Sequence, residues 1–260
     1  MRKSHTPILL IFCLFSLVLT SCAGSVSAED RDTLYQISTI NSLMAGNYDG
    51  IHTIQDVAKK GNTGIGTFDT LDGEMVMIDG VVYKVKASGM VEKPDVKVTV
   101  PFSAVTYFDV DSTIDLGSIK NLDELKAALD KMIIKKDRFY AFRIDGIFAS
   151  IQTRSVPAQQ KPYPILSEVT KNQAVFNFEN IKGSLVGFWC PETVGSINVP
   201  GYHLHFISDD RTMGGHLLNI SFNTAKVMSD ETRFFEMELG DAAAAGIIDN
   251  AGEEMDKVEK

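Results

Sequence analysis

PGYHLHFISDDRTMGGHLLNISF, residues 200–222, holds three of the five histidines of the chain. Residues 202–207 are aromatic and apolar. Residues 208–215 are polar and end in a glycine pair, and residues 216–222 are apolar again. The pattern reads strand, turn, strand. Residues two apart in a strand share a face, so His203 and His205 project together. A hairpin closing around Asp210 and Arg211 sets His205 roughly opposite His216, and three imidazoles converge on one small volume. Neutral imidazole is the commonest protein ligand for zinc, and three protein ligands with a fourth position left open is the catalytic arrangement. The competing reading is a hairpin whose histidines only hydrogen-bond near its end. His-x-His with a third histidine beyond a Gly-Gly turn favours metal. Zn2+ is the expected ion, although this donor set also suits other divalent cations.

Residues 1–21 read as an export signal. Arg2 and Lys3 give a basic start, and residues 8–20 form an apolar run too short to span a bilayer comfortably. The run ends in Leu19-Thr20-Ser21-Cys22, which resembles the bacterial lipobox. Acylation of Cys22 would make the protein exported, extracytoplasmic and lipid-anchored, with residues 22–31 as a tether. Ordinary cleavage near Ala28 is the alternative. Cys13 leaves with the signal, so Cys190 is the one remaining thiol and no intrachain disulfide is expected. Cys190 follows an apolar run and reads as core. The formal charge of −9 and the lack of a basic run make nucleic acid a poor partner.

Outward from the hairpin, the chain reads as strand-rich. Residues 35–45 and 53–60 are expected as short helices, the second capped by Thr53 and stopped by Gly61. Strands are expected at 64–70, 75–78 and 81–85, the last two joined by an Asp79-Gly80 turn. Others are expected at 101–108, 139–153, 175–178, 183–189 and 233–239. Asp145-Gly146 suggests a bulge in the long strand. Asn121 begins the clearest helix, 121–134, with an apolar stripe of Leu122, Leu125, Leu129, Met132 and Ile133. The fold class is a mixed, strand-rich α/β chain of two subdomains with mixed β-sheets and few helices. The metal site falls on the C-terminal hairpin. The expected division is 32–154, 155–240 with the metal site, and a tail at 241–260 that returns to the site.

A metal becomes catalytic in acidic and cationic company. Leu71-Asp72-Gly73-Glu74 places a carboxylate at a tight turn, Thr153-Arg154-Ser155 ends a long strand, and Glu253, Glu254 and Glu259 lie in the tail. By spacing alone these read equally well as a solvated turn, a surface ion pair and a charged end.

Six stretches together, YQISTINSLMAGNYDG, GNTGIGTFDTLDGEM, FYAFRIDGIF, QTRSVPAQQKPYP, FNFENIKGSLVGFWCP and the hairpin itself, resemble the acetolactate decarboxylase family in its own order. The resemblance covers residues 35–239. It implies a two-domain α/β metalloenzyme with mixed sheets, usually a homodimer. It implies zinc on His203, His205 and His216, catalytic roles for Glu74 and Arg154, and Thr67 near the substrate. A glutamate near the family's C-terminus maps onto Glu259, with Glu254 as second choice. The implied reaction is decarboxylation of 2-acetolactate to acetoin, with metal as the cofactor. A ketone beside the departing carboxylate lets a Lewis acid take up the developing charge. A cupin-like metalloenzyme is one alternative, but no Glu follows His-x-His closely and the gap to His216 is short. A metal- or solute-binding lipoprotein is the other.

Overall fold

The computed structural model describes residues 26–240 together with 254, 255 and 258. Fourteen strands occur among the described residues. In chain order they are β1 (Thr33–Ile37), β2 (His52–Thr53), β3 (Thr63–Thr67), β4 (Glu74–Ile78), β5 (Val81–Val85), β6 (Val91–Glu92) and β7 (Thr99–Val100). Then come β8 (Phe102–Thr106), β9 (Ser112–Leu116), β10 (Phe139–Ser155), β11 (Ala174–Cys190), β12 (Gly201–Ser208), β13 (Gly214–Thr232) and β14 (Phe234–Glu238).

They build two main sheets. The first has seven strands in the order β14-β1-β8-β3-β4-β5-β6 and is mixed, because β1 pairs with β14 in parallel and with β8 antiparallel. In the second, β10, β11, β12 and β13 each pair with two neighbours and close into a ring, with β9 added along β13. A two-stranded ribbon, β2-β7, is separate.

Alternation along the strands sorts the core. Phe142, Phe148, Phe206 and Phe222 point into the ring, which the helix Leu122–Leu129 covers with Leu125 and Leu129. Val186, Phe188 and Ile207 point outward onto Ile65, Val76 and Val85 of the seven-stranded sheet. His203 and His205 share the face of Ile207, so the period of two places them between the sheets, opposite Leu204 and Phe206. A third cluster at that end joins Ile40, Leu43, Tyr48, Leu71 and Val156 to Met255 and Val258 of the tail.

Several expectations change in detail. Residues 35–37, expected to open a helix, belong to β1, because partners on both sides recruit them into the sheet; the helix is confined to Ile40–Met44, capped by Thr39. The helix after Thr53 is short, Ile54–Val57. The two strands expected at 175–178 and 183–189 are one, β11. The Asp79-Gly80 turn forms with φ of 51° and 76°, the twist a two-residue hairpin requires. The register of β10 against β13 shifts after Gly146, where a bulge was expected. Arg154 and Ser155 are the last two residues of β10, and the chain passes between the two main sheets between β8 and β9 and again between β13 and β14. No helix among the described residues is long and apolar enough to cross a membrane.

Candidate metal centre and active site

The β12–β13 register sets His205 directly opposite His216. With His203 two residues back, the three rings lie 5.0–5.3 Å apart by centroid. One ligand atom from each falls within 4.8 Å of the others. Burial holds all three imidazoles in the neutral form. His203 is pushed down to about 3 by burial and then by the charge of Arg154. His205 and His216 also fall well below the ordinary histidine value, again mainly through burial. His205 Nδ1 lies 2.8 Å from the Met75 carbonyl oxygen. A carbonyl only accepts, so Nδ1 carries the proton and Nε2 presents its lone pair. That Nε2 is 3.2 Å from His203 Nε2. Converging neutral nitrogens, one with its tautomer fixed from behind, fit a divalent cation of intermediate softness.

The first sheet supplies the acid. Glu74 begins β4, next to Met75, and is 7% exposed. The turn that precedes it delivers a buried carboxylate, not a solvated one. Its Oε2 is 3.7 Å from His205 Nε2 and its Oε1 is 3.9 Å from Arg154 Nη1. Arg154 lies opposite His216 in the β10–β13 register and is 4% exposed. Its Nε is buried and has no hydrogen-bond partner among the described residues. Thr153 and Ser155 fix the backbone on either side of it: their hydroxyls donate to the carbonyls of Gly214 and Val85 at 2.8 and 2.7 Å. Thr67 faces Glu74 across β3–β4, and its hydroxyl donates to the Gly73 carbonyl at 2.7 Å.

These groups share one cavity, whose apolar wall includes Leu71, Phe102, Val156 and Val258. Val258 brings the tail to the site. Glu259 and Cys22 lie outside the described residues, and Glu254 is not part of the cavity wall. A wider hollow of about 410 Å³ beside Lys161 and Tyr163 holds none of the histidines. The Met75 carbonyl went unforeseen because a backbone group carries no residue-type signal. The apolar wall carries none either, since its members come from four separate segments.

The family model for alpha-acetolactate decarboxylase matches residues 34–244. An alpha-acetolactate decarboxylase from Methanosarcina mazei is 44% identical over 238 residues, which is 90% of this chain and 83% of that protein. One from Brevibacillus brevis is 38% identical over 217 residues, 84% of this chain and 76% of that protein. The crystal structure of alpha-acetolactate decarboxylase from Bacillus subtilis strain 168 superposes with a TM-score of 0.85 at 33% identity, covering 87% of this chain and 99% of that one. Neither the cupin-like reading nor the binding-lipoprotein reading finds support among these relatives. The chain belongs to the alpha-acetolactate decarboxylase family.

Proposed function

We propose that this carboxy-lyase converts 2-acetolactate to acetoin and carbon dioxide at the cavity between the two sheets. The observation that carries the reading is the convergence of three neutral histidines with a buried Glu74 and a buried Arg154 whose Nε has no hydrogen-bond partner among the described residues. His203, His205 and His216 would hold a metal ion, and we take it to be zinc. That ion supplies Lewis-acid stabilisation of the charge that develops on substrate oxygen. Arg154 offers a buried Nε donor that no described residue satisfies, in a site where charge stabilisation is strong. A contact with the departing carboxylate alone would favour the ground state, so its contact must persist on an oxygen that gains charge. The bond to the carboxylate carbon breaks, carbon dioxide leaves, and its electron pair moves toward the ketone oxygen. Glu74 then gives the former carboxyl-bearing carbon its proton from one side, which sets the configuration of acetoin. Thr67 acts on the substrate side of Glu74 and holds its turn. The tail closes the apolar wall at Val258, and the family resemblance supports Glu259 as a second proton-handling group, with Glu254 as the alternative.

Purified zinc-loaded protein is expected to release acetoin and carbon dioxide from 2-acetolactate without thiamine or another organic cofactor. No acetoin from that preparation overturns the reading.

Two further proposals rest on the sequence. Leu19-Thr20-Ser21-Cys22 after a basic and apolar start supports export and a lipid anchor on Cys22. Cys22→Ala should release the protein from membrane fractions or block its maturation; a native protein found in the cytosol and starting at Met1 contradicts this. The family resemblance supports a homodimer, which sedimentation at micromolar concentration would test.

A further inference from the structure

Glu74 stands at the end of a strained turn. Between β3 and β4, Thr70 and Leu71 sit consecutively in the left-handed region, at φ of 61° and 62°. Non-glycine residues avoid that region, and β-branched threonine most of all. Gly73 follows at φ 89°, and a Cβ there would lie 2.5 Å from the Val85 carbonyl oxygen. Such backbone persists only where its surroundings over-determine it. Here the restraints arrive from remote segments. Gly50 N donates to the Asp69 carboxylate, Thr70 N to the Tyr48 carbonyl and Gln159 N to the Thr70 carbonyl, each at 2.7 Å.

One side chain spans the turn. Lys84, in β5, places Nζ 2.7 Å from Asp72 Oδ2 and 4.6 Å from the centre of the Phe68 ring. Phe68 precedes the strained residues and Asp72 follows them. Lys84 is 7% exposed, a burial that lysine tolerates only when its charge is answered. The β4–β5 register pairs Glu74 with Val85 and Met75 with Lys84. Alternation therefore turns Glu74 toward the histidines and Lys84 toward the opposite face of the sheet. Lys84 is absent from the cavity wall, so it has no route to the substrate.

We infer that Lys84 is a positioning residue, which clips the strained turn through Asp72 and Phe68 and so fixes where Glu74 presents its proton. The inference rests on Glu74 as the proton donor. A carboxyl displaced by a fraction of an ångström transfers its proton less efficiently and yields facial control to water. Substrate binding, which falls to the metal ligands and Arg154, is untouched.

The test uses zinc-loaded K84M, D72N, the K84M/D72N double variant, K84R and E74Q. It measures kcat, KM, metal content and the enantiomeric purity of acetoin. K84M and D72N are each expected to lower kcat by about tenfold or more. KM should stay within about twofold and metal at the wild-type level, while enantiomeric purity falls. The double variant should be no worse than either single one, and K84R should recover most of the loss. Should K84M fail to fold, the near-isosteric D72N decides alone. A lower yield of active enzyme with unchanged enantiomeric purity would mean a merely structural role and overturns the inference. So does wild-type behaviour of K84M and D72N beside an impaired E74Q. Wild-type kcat and purity in E74Q overturn the reading of Glu74 itself, and the inference with it.

Discussion

Arg154 Nη1 and Glu74 Oε1 lie 3.9 Å apart, within ion-pair range but beyond a hydrogen bond, and both side chains are buried beside the histidines. Glu74→Gln keeps the shape of the side chain and removes its acid–base capacity. It is expected to retain metal and fold while lowering kcat by on the order of 10²-fold or more. Arg154→Lys keeps the charge and loses the planar fork, so a large drop in kcat/KM is expected, about 10-fold or more. Steady-state kinetics beside metal analysis checks both, and unchanged rates in both variants would refute these roles. The histidines were legible because a period of two and one turn suffice to bring them together. Glu74 and Arg154 had residue type and family likeness behind them, but their burial was not legible. It depends on one sheet packing on another, which no local pattern encodes. The Met75 carbonyl that orients His205 is invisible for the same reason.

The elements that read correctly are those whose signals are local. Asn121 caps its helix by accepting from Glu124 N, and Asp79-Gly80 turns its hairpin. The misread ones owe their state to distant partners. Tyr35 lies in a strand because Glu236 and Val105 flank it. The residues between the two strands expected at 175–178 and 183–189 keep the ladder, with Glu179 paired to Ser150 and Ile181 to Phe148, so β11 is one strand. The tail belongs to this scale too. Met255 and Val258 are buried with Leu43 and Tyr48, and Val258 reaches the cavity. Deleting residues 252–260 is expected to lower turnover several-fold while the three histidines keep their metal. Full turnover in that truncation would show that the tail contributes nothing to the site.

Across the whole molecule, a cluster of negative charge marks where the chain passes between sheets. Asp230 is 2% exposed, and its carboxylate accepts from Asp109 N in the crossing segment. Burial, with Asp111, Asp109 and Asp32 nearby, raises it from 3.8 to about 7. The folded chain therefore holds this proton through a window in which the unfolded chain has lost it. The contribution is fully present below the unfolded value near pH 4 and is lost as pH rises toward 7. Asp230→Asn should stabilise the protein at pH 8 by on the order of 2 kcal/mol and leave it nearly unchanged at pH 4. Thermal melts at the two pH values read this directly, and an equal shift at both would contradict it.

The central claim joins one metal, three histidines and one reaction. Metal-free protein titrated with Zn2+ while acetoin formation is followed tests it most directly. Activity is expected to rise from near zero, linearly, and to level at one equivalent per chain, and the His203→Ala/His205→Ala variant should neither bind nor turn over. Full acetoin formation without metal, or stoichiometric binding in that double variant, would contradict the account.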